Sequence, residues 1–231
     1  MSQPRAVLWD LDGTLIDSAE LHWISWRDTM AQEGVVITRD QFLASFGRRN
    51  DAVVPEWLGA AAAPERVARI AGAKETLYRD LVRRKGMPAM PGVAGWLRRL
   101  GEQGWLQAIA TSSPRENIDV VLDALGAGHY FRGIVSAEDV HRGKPDPEVY
   151  LAAASRVGAP PARCIVVEDA AAGIEGARRA CMRSVGVERN GTNLAADVVV
   201  KSLELLEADA FDRLLGSPAP ARNRQPAGDF R

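Results

Sequence analysis

The sequence has little cysteine and no long apolar run. Only two of its 231 residues are cysteines, Cys164 and Cys181. The two could pair, but two thiols in a chain of this length are more typical of reduced core residues. None of the apolar runs approaches the roughly 20 residues of a membrane-spanning helix, and the start MSQPRAVLWD lacks the pattern of a secretory signal. We therefore expect a cytoplasmic protein with no membrane partner.

An excess of either charge is also missing, since 29 basic residues are balanced by 30 acidic ones. A nucleic-acid-binding protein usually has a strong basic excess or a basic face, so we expect no nucleic-acid partner. Hydrophobic residues make up 46% of the sequence, which is enough to bury a core in one large domain or two modest ones. We expect a monomer or a small homo-oligomer.

Short apolar runs alternate with longer helical patterns along most of the chain. Six of these runs are too short for helices and predict buried strands at residues 6–9, 106–110, 133–135, 164–167, 183–187 and 198–200. A helical pattern that follows the second run begins with Ser113 as a candidate cap and Glu116 as the other half of a capping box. This alternation predicts an α/β fold with a doubly wound, Rossmann-like parallel sheet.

One stretch breaks the alternation, because the sequence from about residue 18 to about residue 91 has helical patterns and no strand pattern. We predict that residues 17–89 form an inserted α-helical cap domain and that residues 1–16 and 90–215 form the α/β core. Two linkers would let the cap hinge. Thr38 and Gln41 predict a capping box inside the cap. Residues 216–231, rich in Pro, Ala, Gly and Arg, predict a flexible C-terminal tail.

Two pairs of acids follow predicted strands. Asp10 and Asp12 come after the first, and Glu168 and Asp169 end the fourth. Open α/β folds bind ligands at the carboxyl edge of the sheet. Carboxylates crowded there repel one another unless a proton or cation lies between them, and Mg2+ prefers oxygen ligands of this kind. Asp-x-Asp-Gly is also a good turn sequence, so the first pair alone leaves a structural role open.

Hydroxyls and a lysine are expected at the same edge. Thr111, Ser112 and Ser113 follow the second strand, directly before a predicted helix. Hydroxyls and the free amides of a helix start form a ready anion site, although ordinary capping would also explain Ser113. Lys144 lies in a loop fixed by glycine and proline, where a lysine is more constrained than on an open surface. The set supplies metal ligands, phosphate donors and a compensating cation.

Four segments, DLDGT, TSS, GKPDP and VEDAAAGIEGA, resemble the four motifs of the haloacid dehalogenase superfamily in the same order. The resemblance covers about residues 5–215, and the helical insertion is similar to the cap of the β-phosphoglucomutase-like branch. It implies that Asp10 is a nucleophile that forms an aspartyl-phosphate, and that Asp12 is the general acid and then the base. It also implies that Thr111 and Lys144 hold the phosphoryl group.

The resemblance further implies a Mg2+ cofactor. Its expected ligands are Asp10, the backbone carbonyl of Asp12, Asp169, and Glu168 directly or in support. Phosphoryl transfer depends mainly on positioning and charge neutralisation, which this set provides. Dehalogenation needs no such acid cluster, so the second acid pair speaks against that activity.

The cap residues bear on the choice between phosphatase and mutase. His22 lies where related mutases and sugar phosphatases have a histidine that would couple cap closure to Asp12; packing near Trp26 is the alternative. The stretch FGRRND does not match the mutase segment that holds the far end of the sugar phosphate. Arg48 and Arg49 are candidate substrate ligands, but their register differs.

Thr14 replaces the valine usual in the mutases, so water is favoured as the phosphoryl acceptor. The sequence thus predicts a phosphatase acting on a small phosphorylated metabolite such as a sugar or polyol phosphate, with a β-phosphoglucomutase-like isomerase as the alternative. A receiver-like signalling protein phosphorylated on aspartate is a third class, which the long helical insertion and the second acid disfavour. The cap tryptophans Trp23, Trp26 and Trp57 are candidate pocket residues but more typical of a core.

Overall fold

The computed structural model describes residues 3–59, 62–189 and 193–216. Within them, six strands form one parallel sheet in the order β3-β2-β1-β4-β5-β6. The strands are β1 (Ala6–Trp9), β2 (Leu106–Ala110), β3 (Gly133–Val135), β4 (Cys164–Glu168), β5 (Arg183–Val187) and β6 (Val198–Val200). The predicted strands agree with these bounds, except that β4 is one residue longer. The strand order reverses beside β1, which is where doubly wound sheets bind ligands.

Helices cover both faces of the sheet. They are α5 (Val93–Glu102), α6 (Arg115–Leu125), α7 (Glu148–Arg156), α8 (Ala171–Arg179) and α9 (Ala210–Gly216). Side chains of β1 alternate between two apolar clusters, with Val7 and Trp9 in one and Ala6 and Leu8 in the other. Because β1 is buried on both faces, its carboxyl end is held firmly at the centre of the sheet edge.

Four helices lie between β1 and α5: α1 (Ala19–Gln32), α2 (Arg39–Ser45), α3 (Asn50–Leu58) and α4 (Pro64–Lys85). They have an apolar cluster of their own that includes Trp26 and Phe42, with Trp23 and Trp57 packed against it. Trp23 and Trp57 therefore pack at the edge of the cap core, and Trp26 is a core residue that also lines the cavity described below. The predicted capping box of Thr38 and Gln41 is present at the start of α2. This is the α/β fold with a helical insertion that the sequence predicts.

The two chain segments that join the cap to the sheet run side by side. The amide of Met90 donates to the carbonyl of Leu15 at 2.9 Å, and the amide of Asp17 donates to the carbonyl of Pro88 at 3.2 Å. The two connections are therefore tied to each other at the base of the cap. The division of the chain at residues 16/17 and 89/90 stays a prediction.

Two expectations are wrong in detail. Cys164 is buried, but Cys181 is exposed with a φ of 57°, so only the first is a core residue; both are free thiols. Ser113 does not cap α6, whose N-cap residue is Pro114 and makes no side-chain cap bond. The predicted tail beyond residue 216 lies outside the described residues. In the part of the chain that is described, none of the helices combines the length and apolar character needed to cross a membrane.

Candidate active site

Asp10 and Asp12 leave β1 at the centre of the sheet edge. The amide of Asp10 still donates to the carbonyl of Val167 at 3.0 Å, so the strand ladder fixes the position of this carboxylate. Gly13 then turns the chain with a φ of 87°, a conformation that favours glycine. A Cβ atom at this position would lie 2.0 Å from Oδ2 of Asp169. Glycine is therefore needed both for the turn and for the close approach of the second acid pair.

Lys144 lies between the two acid pairs. Its Nζ atom is 2.5 Å from Oδ1 of Asp10 and 2.5 Å from Oε1 of Glu168. The Tyr150 hydroxyl also donates to Oε1 of Glu168 at 3.0 Å, and the amide of Ala170 donates to Oε2 at 2.8 Å. Glu168 thus accepts hydrogen bonds from three groups of the protein, one of which is the Lys144 ammonium that also contacts Asp10.

The carboxylates here outnumber the nearby cation. Burial raises the pKa of Asp10 to about 7, with Lys144 opposing the shift and Glu168 adding to it. Burial and the charges of Glu168 and Asp10 raise the pKa of Asp169 well above its ordinary value. Ligand atoms of these three acids lie within 4.8 Å of one another. Clustered oxygen donors with too little positive charge are a chemical fit for a hard divalent cation.

Asp12 has a different environment from Asp10. Its Oδ1 atom accepts hydrogen bonds from Ser18 Oγ at 2.6 Å and from His22 Nε2 at 2.9 Å. The Ser113 hydroxyl donates to its Oδ2 atom, which is why that serine does not cap α6. Burial alone would raise the pKa of Asp12, but His22 and the two hydroxyls outweigh it and lower the pKa. The pKa values of these two neighbouring carboxylates are therefore shifted in opposite directions.

His22 is held by the cap. Its ring stacks on Tyr78 with centroids 3.9 Å apart, and its Nδ1 atom lies 2.8 Å from Nζ of Lys74. An ammonium group can only donate, so Nδ1 is the acceptor and Nε2 carries the proton that is donated to Asp12. His22, the residue predicted to couple cap closure to Asp12, is therefore in contact with Asp12. Packing near Trp26 alone does not account for this position.

A cavity that opens to solvent lies between the sheet edge and the cap. Its lining includes Asp10, Asp12, His22, Trp26, Phe42, Phe46, Arg48, Asn50, Lys74, Glu75, Thr111, Ser112 and Ser113. The floor thus carries the strand-end carboxylates and hydroxyls, while the roof is partly apolar and partly charged. A concave site with a few convergent polar groups among apolar ones is suited to a small molecule.

A family model for haloacid dehalogenase-like hydrolases matches residues 4–180. The chain belongs to this family. Hexitol phosphatase B from Escherichia coli strain K12 is 33% identical over 222 residues, which is 90% of this chain and 98% of that protein. β-Phosphoglucomutase from Bacillus subtilis strain 168 is 30% identical over 227 residues, 89% of this chain and 95% of that one. The crystal structure of β-phosphoglucomutase from Clostridium difficile has a TM-score of 0.84 and 26% identity, covering 92% of this chain and 97% of that one.

The phosphate-binding candidates of this hydrolase are partly brought together. Thr111 is buried, and its hydroxyl oxygen accepts from the amide of Ser113 at 3.2 Å. Arg48 lines the cavity, but Glu56 holds its guanidinium through two bonds, of 3.0 and 2.5 Å. Arg49 is not among the lining residues: it donates to the carbonyl of Ala137 at 2.8 Å and so ties the cap to the core. In the sequence, Arg49 is out of register with the mutase segment. In the structure it lies where the cap meets the core.

Sequence reasoning missed several residues that surround the acids of this hydrolase: Ser18, Lys74, Glu75, Tyr78, Asn117 and Tyr150. The sequence could have indicated that Lys74 is buried, because this residue falls on the apolar face of the amphipathic pattern at α4. A lysine at such a position is seldom buried without a partner. Tyr150 gave no signal, because its aromatic ring fits an ordinary core position and its hydroxyl meets Glu168 only through the fold.

Proposed function

We propose that this hydrolase is a Mg2+-dependent phosphatase of small phosphorylated metabolites, with sugar or polyol phosphates as the substrate class. The observation that carries the proposal is the contact of Lys144 with Asp10, beside an Asp12 held by its own three donors, on the floor of a capped cavity. Hexitol phosphatase B, with 33% identity, is a named phosphatase of the same family. A carboxylate nucleophile, a cation and a separate acid–base group are the parts that two-step phosphate-ester cleavage requires.

In the first step, Asp10 Oδ forms a bond to phosphorus and the ester P–O bond breaks. Asp12 delivers a proton to the departing alkoxide, and Lys144 and Thr111 hold the phosphoryl oxygens. In the second step, water attacks the aspartyl-phosphate, Asp12 takes the proton of that water, and inorganic phosphate and the Asp10 carboxylate are regenerated. His22, Ser18 and Ser113 favour the ionised form of Asp12, which is the form that the hydrolytic step needs, whereas the first step needs the protonated form.

The residues that would hold Mg2+ are Asp10 and Asp169, the backbone carbonyl of Asp12, and Glu168 in support. When bound, Mg2+ supplies positive charge that offsets the phosphate and the crowded carboxylates. Thr14, which is fully buried, donates to Oδ1 of Asp169 at 3.3 Å and so orients this acid. The crowding of Asp169 with Asp10 and Glu168, whose ligand atoms lie within 4.8 Å of one another, favours a cation at this position.

Mutase chemistry is the second candidate. The β-phosphoglucomutase from Bacillus subtilis is 30% identical to this chain, and the one from Clostridium difficile has the same fold. A mutase must hold a second phosphate while the sugar reorients. In this cavity the charge of Arg48 is paired with Glu56, and the neutral amide of Asn50 donates to Glu75 at 2.6 Å, so neither offers an unpaired positive charge to a second phosphate. This arrangement favours water as the acceptor.

The test is phosphate release from a panel of sugar and polyol phosphates with Mg2+ and with EDTA. We expect release from several esters and its loss on chelation. Supply of β-glucose 1-phosphate with a trace of the bisphosphate separates the two candidates. Free glucose supports the phosphatase, while glucose 6-phosphate as the main product would replace it with the mutase.

A further inference from the structure

Two charged residues of α4, Lys74 and Glu75, are buried in the cap, with only 2% and 6% of their surface exposed. Buried charges are costly unless they are paired and hydrogen-bonded, so their partners indicate what they do. Lys74 Nζ donates to Oε1 of Glu75 at 2.8 Å and to Nδ1 of His22 at 2.8 Å. The pair is therefore directly connected to the histidine that contacts Asp12.

The other side of Glu75 faces the core domain. Its Oε2 atom accepts a hydrogen bond of 2.6 Å from Nδ2 of Asn117, which is buried on α6. Arg79 of the cap donates to Oδ1 of this asparagine at 3.2 Å, and that contact fixes which amide atom faces Glu75. Asn117 lies on the helix that follows the Thr111–Ser113 segment, so Glu75 touches the core immediately behind the phosphate-binding loop.

These contacts form one continuous path that begins and ends in the core. It runs from Asn117 to Glu75, Lys74 and His22 of the cap and then to Asp12, with every link between 2.6 and 2.9 Å. The path is complete only when α4 is seated on α6. If α4 lifts from α6, Glu75 loses its core partner.

We propose that Glu75 is a positioning residue of this reaction, which aligns Lys74 and His22 on Asp12 when Asn117 anchors it to the core. The proposal rests on the proposed function, because it assigns Glu75 an effect on the proton that Asp12 gives to the leaving group. Through these contacts the Asp12 carboxylate is oriented under a seated cap. Glu75 itself touches none of the reacting atoms.

The experiment compares two esters that differ in their need for that proton. The leaving group of a polyol phosphate is a strongly basic alkoxide. The leaving group of p-nitrophenyl phosphate is a weakly basic phenolate. The variants are Glu75→Gln, which removes the charge and one of the two acceptor oxygens of Glu75, and Asn117→Ala, which removes its partner in the core. Asp80→Asn is the matched control, since it removes an exposed carboxylate that pairs within α4. Each protein is assayed with Mg2+, and its thermal unfolding is recorded.

We expect both contact variants to lose about 10- to 100-fold in kcat for the polyol phosphate and less than about threefold for p-nitrophenyl phosphate. The control should retain both activities. An equal loss of kcat on the two esters would mean that Glu75 only supports the fold. No loss would mean that the contacts from Asn117 to Asp12 do not affect catalysis. Either result overturns the proposal. If Glu75→Gln does not fold, Asn117→Ala, which leaves the Lys74–Glu75 pair intact, decides alone. Failure of the wild-type protein to hydrolyse either ester would instead remove the proposed function.

Discussion

At the scale of single residues, Gly13 shows how one position can serve both the chain path and the chemistry. Its φ of 87° makes the turn after β1, and the absence of a side chain lets Asp169 approach. The turn was predictable from the Asp-x-Asp-Gly stretch. The approach of Asp169 was not, because it depends on how β4 lies beside β1.

Replacement of Gly13 separates these two requirements. We expect Gly13→Ala to abolish measurable phosphate release and to weaken Mg2+ binding, because the new Cβ would displace Asp169. Gly104→Ala is the matched control: its φ is 73°, but a Cβ there meets no atom within 4 Å. Both changes carry a backbone cost of about 1–2 kcal/mol. Because this cost is shared, a difference between them in a calorimetric Mg2+ titration reports the displacement of Asp169. Unchanged Mg2+ affinity in Gly13→Ala would contradict the placement of Asp169 in the metal site.

At the scale of elements, α4 carries a charged pair inside an apolar face. Its buried positions 67, 70, 74, 78 and 82 follow helical spacing. This spacing is the pattern of an amphipathic helix, and it indicates both the helix and the face that is buried. Nothing in the pattern could indicate that Lys74 meets His22, because that contact depends on the packing of α4 against α1.

The charge of Glu75 predicts a pH dependence of stability. Burial would raise the pKa of this acid, but Lys74, His22 and Asn117 outweigh burial and lower the pKa from 4.5 to about 2. A folded-state pKa below the unfolded one gives stabilisation that is present above about pH 4.5 and is lost as the pH falls towards 2. Between pH 6 and 3, the free energy of unfolding should fall by about 2 kcal/mol more in the wild type than in Glu75→Gln.

Urea unfolding at several pH values measures this difference. Asp80→Asn is again the control, since it changes an exposed acid of the same helix and should keep the wild-type slope. Parallel slopes for the wild type and Glu75→Gln would show that Glu75 does not carry a lowered pKa.

At the scale of the whole molecule, the sequence predicted the α/β sheet, its strands and the helical insertion, because these depend on local patterns and strand-end chemistry. It could not predict how the cap meets the core. Arg49, expected at the substrate, instead reaches the carbonyl of Ala137. Ser113, expected as a helix cap, meets Asp12. Both outcomes depend on distances between elements far apart in sequence.

Arg49 should therefore control the seating of the cap. We expect Arg49→Ala to raise amide hydrogen exchange in the segment 137–143 without any substrate present, because this segment loses its contact with the cap. Arg27→Ala, which removes an exposed pair with Asp28 on α1, should leave that exchange unchanged. A variant with normal exchange but a raised KM would place Arg49 at the substrate, as the sequence suggested.

Metal binding should stabilise the entire fold. A ligand that binds only the folded state adds about 2.7 kcal/mol at 100 times its Kd, so Mg2+ is expected to raise the melting temperature. Asp169→Asn should abolish the rise, whereas Asp119→Asn, an exposed acid on α6 that pairs with Arg115, should retain it. Thermal melts with and without Mg2+ make the comparison. An undiminished rise of the melting temperature in Asp169→Asn would show that Asp169 is not a ligand of the metal.

The central claim is that Asp10 attacks the phosphate ester. Its most direct test is the rate of Mg2+-dependent phosphate release from the best polyol or sugar phosphate, compared between the wild type and Asp10→Asn. The substitution keeps the shape of the side chain but removes the nucleophilic carboxylate. The account predicts a loss of about 10³-fold or more in a variant whose melting temperature shows it to be folded. A folded Asp10→Asn protein that turns over at the wild-type rate would contradict it.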